Sequence, residues 1–175
     1  MIGQPLVTVC EAQGQDSQTS ENNVKQNYIN GRVNHVDLCT AREAQNVVFG
    51  PILVNLTPAI VLLDPSSSHS FISSKRVADH KMLMLPMRKL RLVKSPRGKI
   101  RATRICPKVT LDIRGAKFVA NLIVLESLEI DVVLGMGWLS SCHGVINWAQ
   151  HSVSLTTAPS GDKIEYEGTQ SHPKE

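Results

Sequence analysis

Short runs of apolar residues recur through the middle of the chain, and turn-forming residues separate them. Asn46–Asn55 and Ala59–Asp64 are two such runs on either side of Thr57-Pro58, and Lys108–Arg114 alternates apolar with polar positions. Alternation with a period of two is typical of a strand with one buried face, whereas a short continuous apolar run is typical of a strand buried on both faces. Turn signals fall roughly every 8–12 residues, which favours a small closed all-β fold with one or two short helices over alternating βαβ units.

The same pattern predicts a β-hairpin and two short helical segments. The apolar runs Leu90–Ser95 and Lys99–Cys106 flank Pro96-Arg97-Gly98, whose turn-forming residues are typical of a hairpin loop. Phe71–His80 is compatible with one short helix, and Trp138–Cys142 with one or two helical turns. Both segments fit a fold in which strands form most of the core.

Composition changes at both ends of this patterned region. Residues 11–34 are rich in Gln, Asn, Ser and Glu, and such a stretch cannot bury enough apolar surface to offset the entropy of ordering it. Residues 158–175 carry two prolines and two glycines and show little periodicity. We therefore predict a flexible polar leader over 1–45, a globular domain over 46–157 and a flexible tail over 158–175.

The overall composition limits the class of protein. The 175 residues are 42% hydrophobic but only 4% aromatic, so aliphatic side chains must build the core. The most apolar window, Val47–Leu63, is short for a bilayer span and is interrupted by Gly50 and two prolines, so no membrane segment is predicted. The cysteines at 10, 39, 106 and 142 include no Cys-x-x-Cys pair. This spacing is not typical of a structural zinc site, and it favours a reducing, cytoplasmic compartment. Neither a metal nor a cofactor is expected.

Residues 75–104 form a strongly basic stretch. They hold eleven Lys or Arg and one acid, a net charge of +10 in a chain whose formal charge is +4. Such a concentration would attract a phosphate backbone. The stretch has no aromatic residue on which single-stranded bases would stack, and a solvated set of strand faces and loops explains the charge as well. Nucleic-acid binding through 75–104 is therefore a secondary hypothesis.

Asp64 is the first candidate for chemistry, because it ends the apolar run Ala59–Leu63 and precedes a serine-rich turn. The strand would fix the carboxylate, and the hydroxyls and N–H groups of the turn would orient it. The alternative is that the side chain caps the turn or a following helix. A catalytic triad with His69 and Ser70 is rejected, because adjacent residues do not share a face of a strand or helix. Gly135-Met136-Gly137 is rejected as a dinucleotide fingerprint, because the third glycine and the βαβ unit are missing.

Three segments of the sequence are informative in combination. Residues 62–73 are Leu-Leu-Asp-Pro-Ser-Ser-Ser-His-Ser-Phe-Ile-Ser, residues 130–139 are Ile-Asp-Val-Val-Leu-Gly-Met-Gly-Trp-Leu, and residues 31–36 are Gly-Arg-Val-Asn-His-Val. The first resembles the pattern Asp-Ser-Gly-Ala-Ser/Thr-His-Ser-Phe-Ile of the aspartic peptidases in plant gypsy-type LTR retrotransposon polyproteins. The second resembles the same family's signature Asp-Val-Ile-Leu-Gly-Met-Asp-Trp-Leu, and the third resembles the stretch that joins the upstream nucleocapsid region to the peptidase. The resemblance covers about residues 31–157.

The resemblance implies a retropepsin-like barrel that hydrolyses peptide bonds of a polyprotein. Two copies would form a homodimer in which each supplies one aspartate, and the aspartate pair would activate a water molecule. The site residues it implies are Asp64 (catalytic), Pro65, Ser66, Ser67 and Ser68 (active-site loop), Ser95, Pro96, Arg97 and Gly98 (tip of the flap hairpin that covers the substrate), and Val133, Leu134 and Gly135 (packed beneath the Asp64 loop).

Two departures from the family pattern affect the expected activity. The family's Asp-Ser/Thr-Gly is here Asp64-Pro65-Ser66, so the hydroxyl that braces the partner's loop and the glycine beside the carboxylates are both replaced. Gly137 stands where the second signature has an acid, which removes an expected helix-start cap. The sequence therefore predicts an impaired aspartic endopeptidase and a weak homodimer. The alternative is an inactive remnant that binds nucleic acid or itself.

Overall fold

The computed structural model describes residues 29–44 and 46–169. In these ranges the chain forms eleven strands and three short helices, so the predicted all-β fold with short helices is confirmed. The strands are β1 (Ile29–Arg32), β2 (Val48–Val54), β3 (Thr57–Leu63), β4 (Phe71–Ser73), β5 (Leu85–Ser95), β6 (Gly98–Ile113), β7 (Ala116–Leu125), β8 (Val132–Leu134), β9 (Val145–Asn147), β10 (Ser152–Thr156) and β11 (Lys163–Glu167). The helices are α1 (Leu38–Glu43), α2 (Ser74–Asp79) and α3 (Met136–Ser141).

Six strands of the larger sheet close on themselves. The sheet runs β1-β5-β6-β2-β3-β8-β4-β7, and β7 also pairs with β6, so the strands from β6 to β7 form a ring. The first two strands, β1 and β5, extend the sheet outward from β6. A separate sheet has the order β9-β10-β11. The ring fits the predicted closed architecture, and closure leaves its member strands without an open edge.

Strand β3, which contains the apolar run 59–63, is buried on both faces. Val61 and Leu63 pack in one apolar cluster, whereas Leu62 packs in a second cluster with Phe71 and Val133. Successive residues of a strand point to opposite faces, so β3 has apolar neighbours on both sides. A continuous apolar run is the sequence pattern that such a position requires.

The predicted hairpin is confirmed, and one predicted helix is shorter than expected. Strands β5 and β6 pair in antiparallel fashion up to Ser95 opposite Gly98. The helix expected from Phe71 begins instead at Ser74, because Phe71–Ser73 pairs with both β7 and β8. Ser73 then caps the helix by accepting a hydrogen bond from the Arg76 N–H at 3.1 Å.

Both segments that the sequence assigns to flexible ends contain packed structure. In the predicted leader, the residues between β1 and α1 include Val33 and Val36, which are buried in the core with relative exposures of 0% and 1%. In the predicted tail, β11 buries Tyr166, whose hydroxyl donates to the Pro51 carbonyl at 3.1 Å. The average composition of these segments is polar, so it does not reveal the few apolar residues within them. Burial of those residues offsets the entropy lost when the backbone is ordered. The flexibility predicted for residues 1–28 and 170–175 lies outside the described residues.

The described residues give two further facts that bear on the protein's class. None of their helices has the length and apolar character needed to cross a bilayer. Three cysteines in these ranges are free thiols, with Cys39 exposed and Cys106 and Cys142 buried. Burial raises the pKa of the Cys106 and Cys142 thiols, which keeps both in the unreactive protonated form at neutral pH.

Candidate active site

Asp64 lies where two parallel core strands end together. Strand β3 pairs with β8 up to Leu63 opposite Leu134, and the Asp64 N–H donates to the Leu134 carbonyl at 2.9 Å. The Asp64 residue has a relative exposure of 0%. Two buried strands therefore fix the backbone that carries the carboxylate, as the position at the end of an apolar run predicts.

The loop after Asp64 supplies hydrogen bonds to both carboxylate oxygens. Oδ1 accepts from the Ser66 N–H at 2.9 Å and from the Ser66 hydroxyl at 2.5 Å, and Oδ2 accepts from the Ser67 hydroxyl at 3.1 Å. The turn is closed by the Ser67 N–H, which donates to the Asp64 carbonyl at 3.1 Å. Asp64 thus caps its own turn, which is one of the two roles the sequence allows. A carboxylate offers about four acceptor sites, two on each oxygen, so the two Ser66 donors fill Oδ1 and one site on Oδ2 stays available for a further donor.

Gly135 lies directly beneath the Asp64 loop. Its N–H donates to the Ser70 hydroxyl at 3.0 Å, and the next N–H, of Met136, donates to the Ser67 carbonyl at 2.9 Å. A Cβ atom at position 135 would lie 2.3 Å from the His69 carbonyl oxygen and 2.6 Å from that of Ser67. Only glycine permits so close an approach of the two backbones. Gly135 is also the N-cap of α3, which has no side-chain cap.

The strand before Gly135 holds the loop through backbone pairing. Leu134 accepts the Asp64 N–H, whereas Val133 pairs with Leu62 and Phe71 on the two neighbouring strands. Pro65 and Ser68 complete the loop, Pro65 partly buried and Ser68 exposed. The structure thus brings residues 64–68 and 133–135 together.

The tip of the β5–β6 hairpin is fixed by local bonds and by two acids. The Ser95 hydroxyl donates to the Gly98 carbonyl at 2.7 Å, and the Arg97 N–H donates to the Ser95 hydroxyl at 3.2 Å. The Arg97 guanidinium contacts the Glu129 carboxylate at 2.8 Å and the Asp37 carboxylate at 3.6 Å. These ion pairs connect the hairpin tip with the start of α1 and the loop before β8.

His69 and Ser70 make hydrogen bonds that hold the Asp64 loop, and they do not form a triad with Asp64. His69 Nδ1 lies 2.8 Å from the Ser68 hydroxyl, and the Ser70 hydroxyl accepts the Gly135 N–H. The pKa of His69 is lowered, first by burial and then by the positive charge of Arg91. Among the described residues, no cluster of His, Cys, Asp and Glu is arranged to hold a metal ion.

Two residues that the sequence analysis placed in the leader contact the Asp64 loop. The Asn34 side-chain amide donates to the Ser66 hydroxyl at 2.8 Å. The Arg32 backbone also bonds Ser68: its N–H donates to the Ser68 hydroxyl at 2.7 Å, and its carbonyl accepts the Ser68 N–H at 3.1 Å. The only signal for these contacts in the sequence is the motif Gly-Arg-Val-Asn-His-Val at 31–36.

Comparison with known proteins identifies the family of this chain. The model of the family described as retroviral aspartyl protease matches residues 27–161. The chain belongs to the retroviral aspartyl protease family. Among solved structures it is similar to the retroviral protease-like domain of Ddi1 from Leishmania major, with 12% identity, 62% of this chain and 83% of that chain covered, and a TM-score of 0.48. It is also similar to EIAV protease complexed with the inhibitor HBY-793, with 19% identity, 57% of this chain and 90% of that chain covered, and a TM-score of 0.46. No curated protein matches the chain significantly.

The match confirms that the chain contains a domain of the retroviral aspartyl protease family. It spans the Asp64 loop, the β5–β6 hairpin and α3, and it begins before β1, so the contacts of Arg32 and Asn34 fall within the matched region. The basic stretch 75–104 gains no support from these comparisons as a nucleic-acid site.

Proposed function

We propose that this chain is the aspartic endopeptidase domain of a gypsy-type retrotransposon polyprotein, with Asp64 as the catalytic residue. The observation that carries the proposal is the position of the Asp64 carboxylate. It is buried at the end of a central strand, it is held by two serines of its loop, and the whole lies within a retroviral aspartyl protease match. The substrate is a peptide segment of the polyprotein, and the second partner is another copy of the chain.

Hydrolysis would require two copies, because the match supplies one Asp64 loop per chain. A two-fold axis between two such loops brings the two carboxylates together in an isologous dimer. Two carboxylates held this close cannot both ionise, so the pair shares a proton. The ionised partner takes a proton from a bound water, and the protonated partner donates to the oxygen of the scissile carbonyl. The β5–β6 hairpin, with Ser95, Pro96, Arg97 and Gly98 at its tip, would cover the bound peptide.

Activity is expected to be low in this chain because of Pro65 and Ser66. Pro65 has no hydroxyl and no N–H to bond the partner's loop across the dimer axis. Ser66 directs its hydroxyl at Asp64 Oδ1 from 2.5 Å, so an oxygen that should face a water molecule already has a donor from its own loop. Both departures from the family pattern lie in the loop that carries the carboxylate.

A peptidase assay on the full chain tests the proposal. The chain is incubated with a peptide library at mildly acid pH, with and without a statine-type inhibitor. We expect slow, inhibitor-sensitive cleavage that the variant Asp64→Asn abolishes and that Asp162→Asn, at an exposed aspartate directly before β11, leaves unchanged. Cleavage that persists in Asp64→Asn would contradict the proposal.

The alternative is an inactive remnant that binds nucleic acid or itself through its basic stretch. One observation favours it: of the eleven Lys and Arg in 75–104, only Arg76 is buried. Several of these charges are already paired, for example Lys75 with Asp79 and Arg97 with Glu129. Salt-dependent binding to RNA, together with no cleavage at any chain concentration, would support the remnant over the peptidase.

A further inference from the structure

Residues 29–34 run between the β5–β6 hairpin and the loop that carries Asp64. On one side, β1 pairs in parallel with β5, from Ile29 opposite Arg91 to Arg32 opposite Lys94. The ladder continues for one more bond, because the Val33 N–H donates to the Lys94 carbonyl at 2.9 Å. The segment therefore forms one more strand on the hairpin.

On its other side, the same segment contacts the Asp64 loop. The Arg32 N–H donates to the Ser68 hydroxyl at 2.7 Å, and the Arg32 carbonyl accepts from the Ser68 N–H at 3.1 Å and from the Ser68 hydroxyl at 3.5 Å. The Asn34 side chain donates to the Ser66 hydroxyl, which itself lies 2.5 Å from Asp64 Oδ1. One hydroxyl group thus separates this segment from the candidate catalytic carboxylate.

The fit of the segment is close along its length. A Cβ at Gly31 would lie 3.2 Å from His69 Nδ1, and Val33 is fully buried in the apolar cluster that also contains Val93. Beyond the segment, Asp37 contacts Arg97 at the hairpin tip. Residues 29–34 therefore fill the space between the hairpin and the loop in an extended conformation. The ion pair of Asp37 with Arg97 holds the chain just after this segment.

An extended chain that uses its backbone N–H and C=O groups on both sides is bound in the way that sheets bind a peptide by strand addition. We propose that the space between β5 and the Ser66–Ser68 loop is a groove for an extended peptide that runs parallel to β5, and that residues 29–34 are its intramolecular ligand. The proposal rests on the proposed function in one respect, since it makes this groove the approach to Asp64. A peptide in trans reaches the loop only after residues 29–34 have left it.

The intramolecular ligand lowers the apparent affinity for a peptide in trans. The apparent dissociation constant is the intrinsic one divided by the fraction of molecules whose groove is open. A tethered segment competes at an effective concentration of roughly millimolar order. Weakening the segment in the intact chain should therefore increase peptide binding, whether or not Asp64 is catalytically competent.

Direct binding of a labelled peptide with the sequence of residues 29–36 tests the proposal in the full chain. Arg32→Pro removes the N–H that bonds Ser68, and Arg32→Ala is its matched control, because it removes the same side chain and keeps the N–H. We expect Arg32→Pro to bind the peptide at least tenfold more tightly than the unaltered chain and Arg32→Ala to bind it as weakly as the unaltered chain. Equal binding by all three chains would overturn the proposal.

A second variant keeps the test valid if Arg32→Pro does not fold. Val33→Ala retains every backbone donor and weakens only the apolar contact of the tethered segment. A trans peptide that keeps valine at the position of Val33 should therefore displace this segment from the groove. A trans peptide with alanine at the same position should bind less well to this variant. Equal binding of the two peptides would also overturn the proposal. The assay involves no turnover, so an inactive Asp64 would leave peptide binding intact and affect only the peptidase assay.

Discussion

The Ser66 hydroxyl lies 2.5 Å from Asp64 Oδ1 and 2.8 Å from the side-chain nitrogen of Asn34. It therefore links the candidate catalytic carboxylate with a residue more than two dozen positions earlier in the chain. A glycine at position 66 would keep the N–H bond to Oδ1 but would remove this link. Ser66 thus connects the carboxylate with the segment that fills the groove. Its bond to Oδ1 would limit the access of a water molecule to Asp64, and its bond to Asn34 would limit the access of a peptide.

Replacement of Gly135 should destabilise the domain. In Gly135→Ala the new Cβ would meet the His69 carbonyl at 2.3 Å, and the loop must shift to accept it. Overpacking of this kind costs about 1–3 kcal/mol. Gly137→Ala is the control, because its Cβ would meet the nearest atom only at 3.9 Å and alanine favours the helix. Denaturant unfolding should give a lower free energy of unfolding for the first variant and an equal or higher one for the second. Equal loss in both would contradict the close approach at Gly135.

Limited proteolysis should leave a resistant core that extends beyond the boundaries of 46 and 157 predicted from composition. Val33 and Tyr166 are buried in the structure, so cutting between them and the barrel requires local unfolding. Mass spectrometry should find both Val33 and Tyr166 within the resistant core. A core that begins near residue 46 would show that β1 and α1 detach readily.

The prediction from sequence succeeded where a single local pattern determines the structure. The continuous apolar run 59–63 becomes the strand with two buried faces, and the turn residues at 96–97 become the hairpin loop. It did not anticipate β1, because Val33 packs in one apolar cluster with Val93, some sixty residues away, and no local pattern reports such a contact. The family signature around residue 64 indicated Asp64 as the site, and the motif at 31–36 was the one sequence signal that Asn34 belongs with its loop.

The half-buried His69 should make stability fall at mildly acid pH. Its pKa in the folded chain is lowered, first by burial and then by Arg91, so the unfolded chain takes up the proton first as pH falls. The stabilisation is complete above the ordinary histidine pKa of about 6.5 and is lost as pH falls from there through the folded pKa. His69→Gln should therefore show a smaller decrease in melting temperature between pH 7 and pH 5 than the unaltered chain. His80→Gln, at an exposed histidine, is the control, and an identical change in all three chains would contradict the role of His69.

Self-association should be weak. The resemblance implies that a hydroxyl after the catalytic aspartate braces the two loops of the dimer, and Pro65 lacks it. Sedimentation velocity of the unaltered chain should show mostly monomer at micromolar concentration. A dimer that persists at nanomolar concentration would show that other contacts hold the two copies together without this brace.

Restoring the family residues at the loop should restore activity. The double variant Pro65→Ser with Ser66→Gly returns a hydroxyl that can cross the dimer axis and removes the hydroxyl that occupies Asp64 Oδ1 at 2.5 Å. A hydrogen bond to a charged group contributes roughly 1.5–3 kcal/mol, and a symmetric dimer has two copies of each. Since about 1.4 kcal/mol corresponds to a tenfold change in rate, the double variant should cleave peptides at least tenfold faster than the unaltered chain.

Two further variants show whether the gain comes from the aspartate pair. Addition of Asp64→Asn to the double variant should abolish inhibitor-sensitive cleavage. The single variant Ser66→Gly separates the two causes, because it frees Oδ1 but leaves the dimer without its brace; it should gain less activity than the double variant and remain mostly monomeric in sedimentation. A double variant that dimerises but cleaves nothing would show that Asp64 does not lie at a competent site. An unaltered chain that already cleaves as fast as the double variant would show that Pro65 and Ser66 do not limit the reaction.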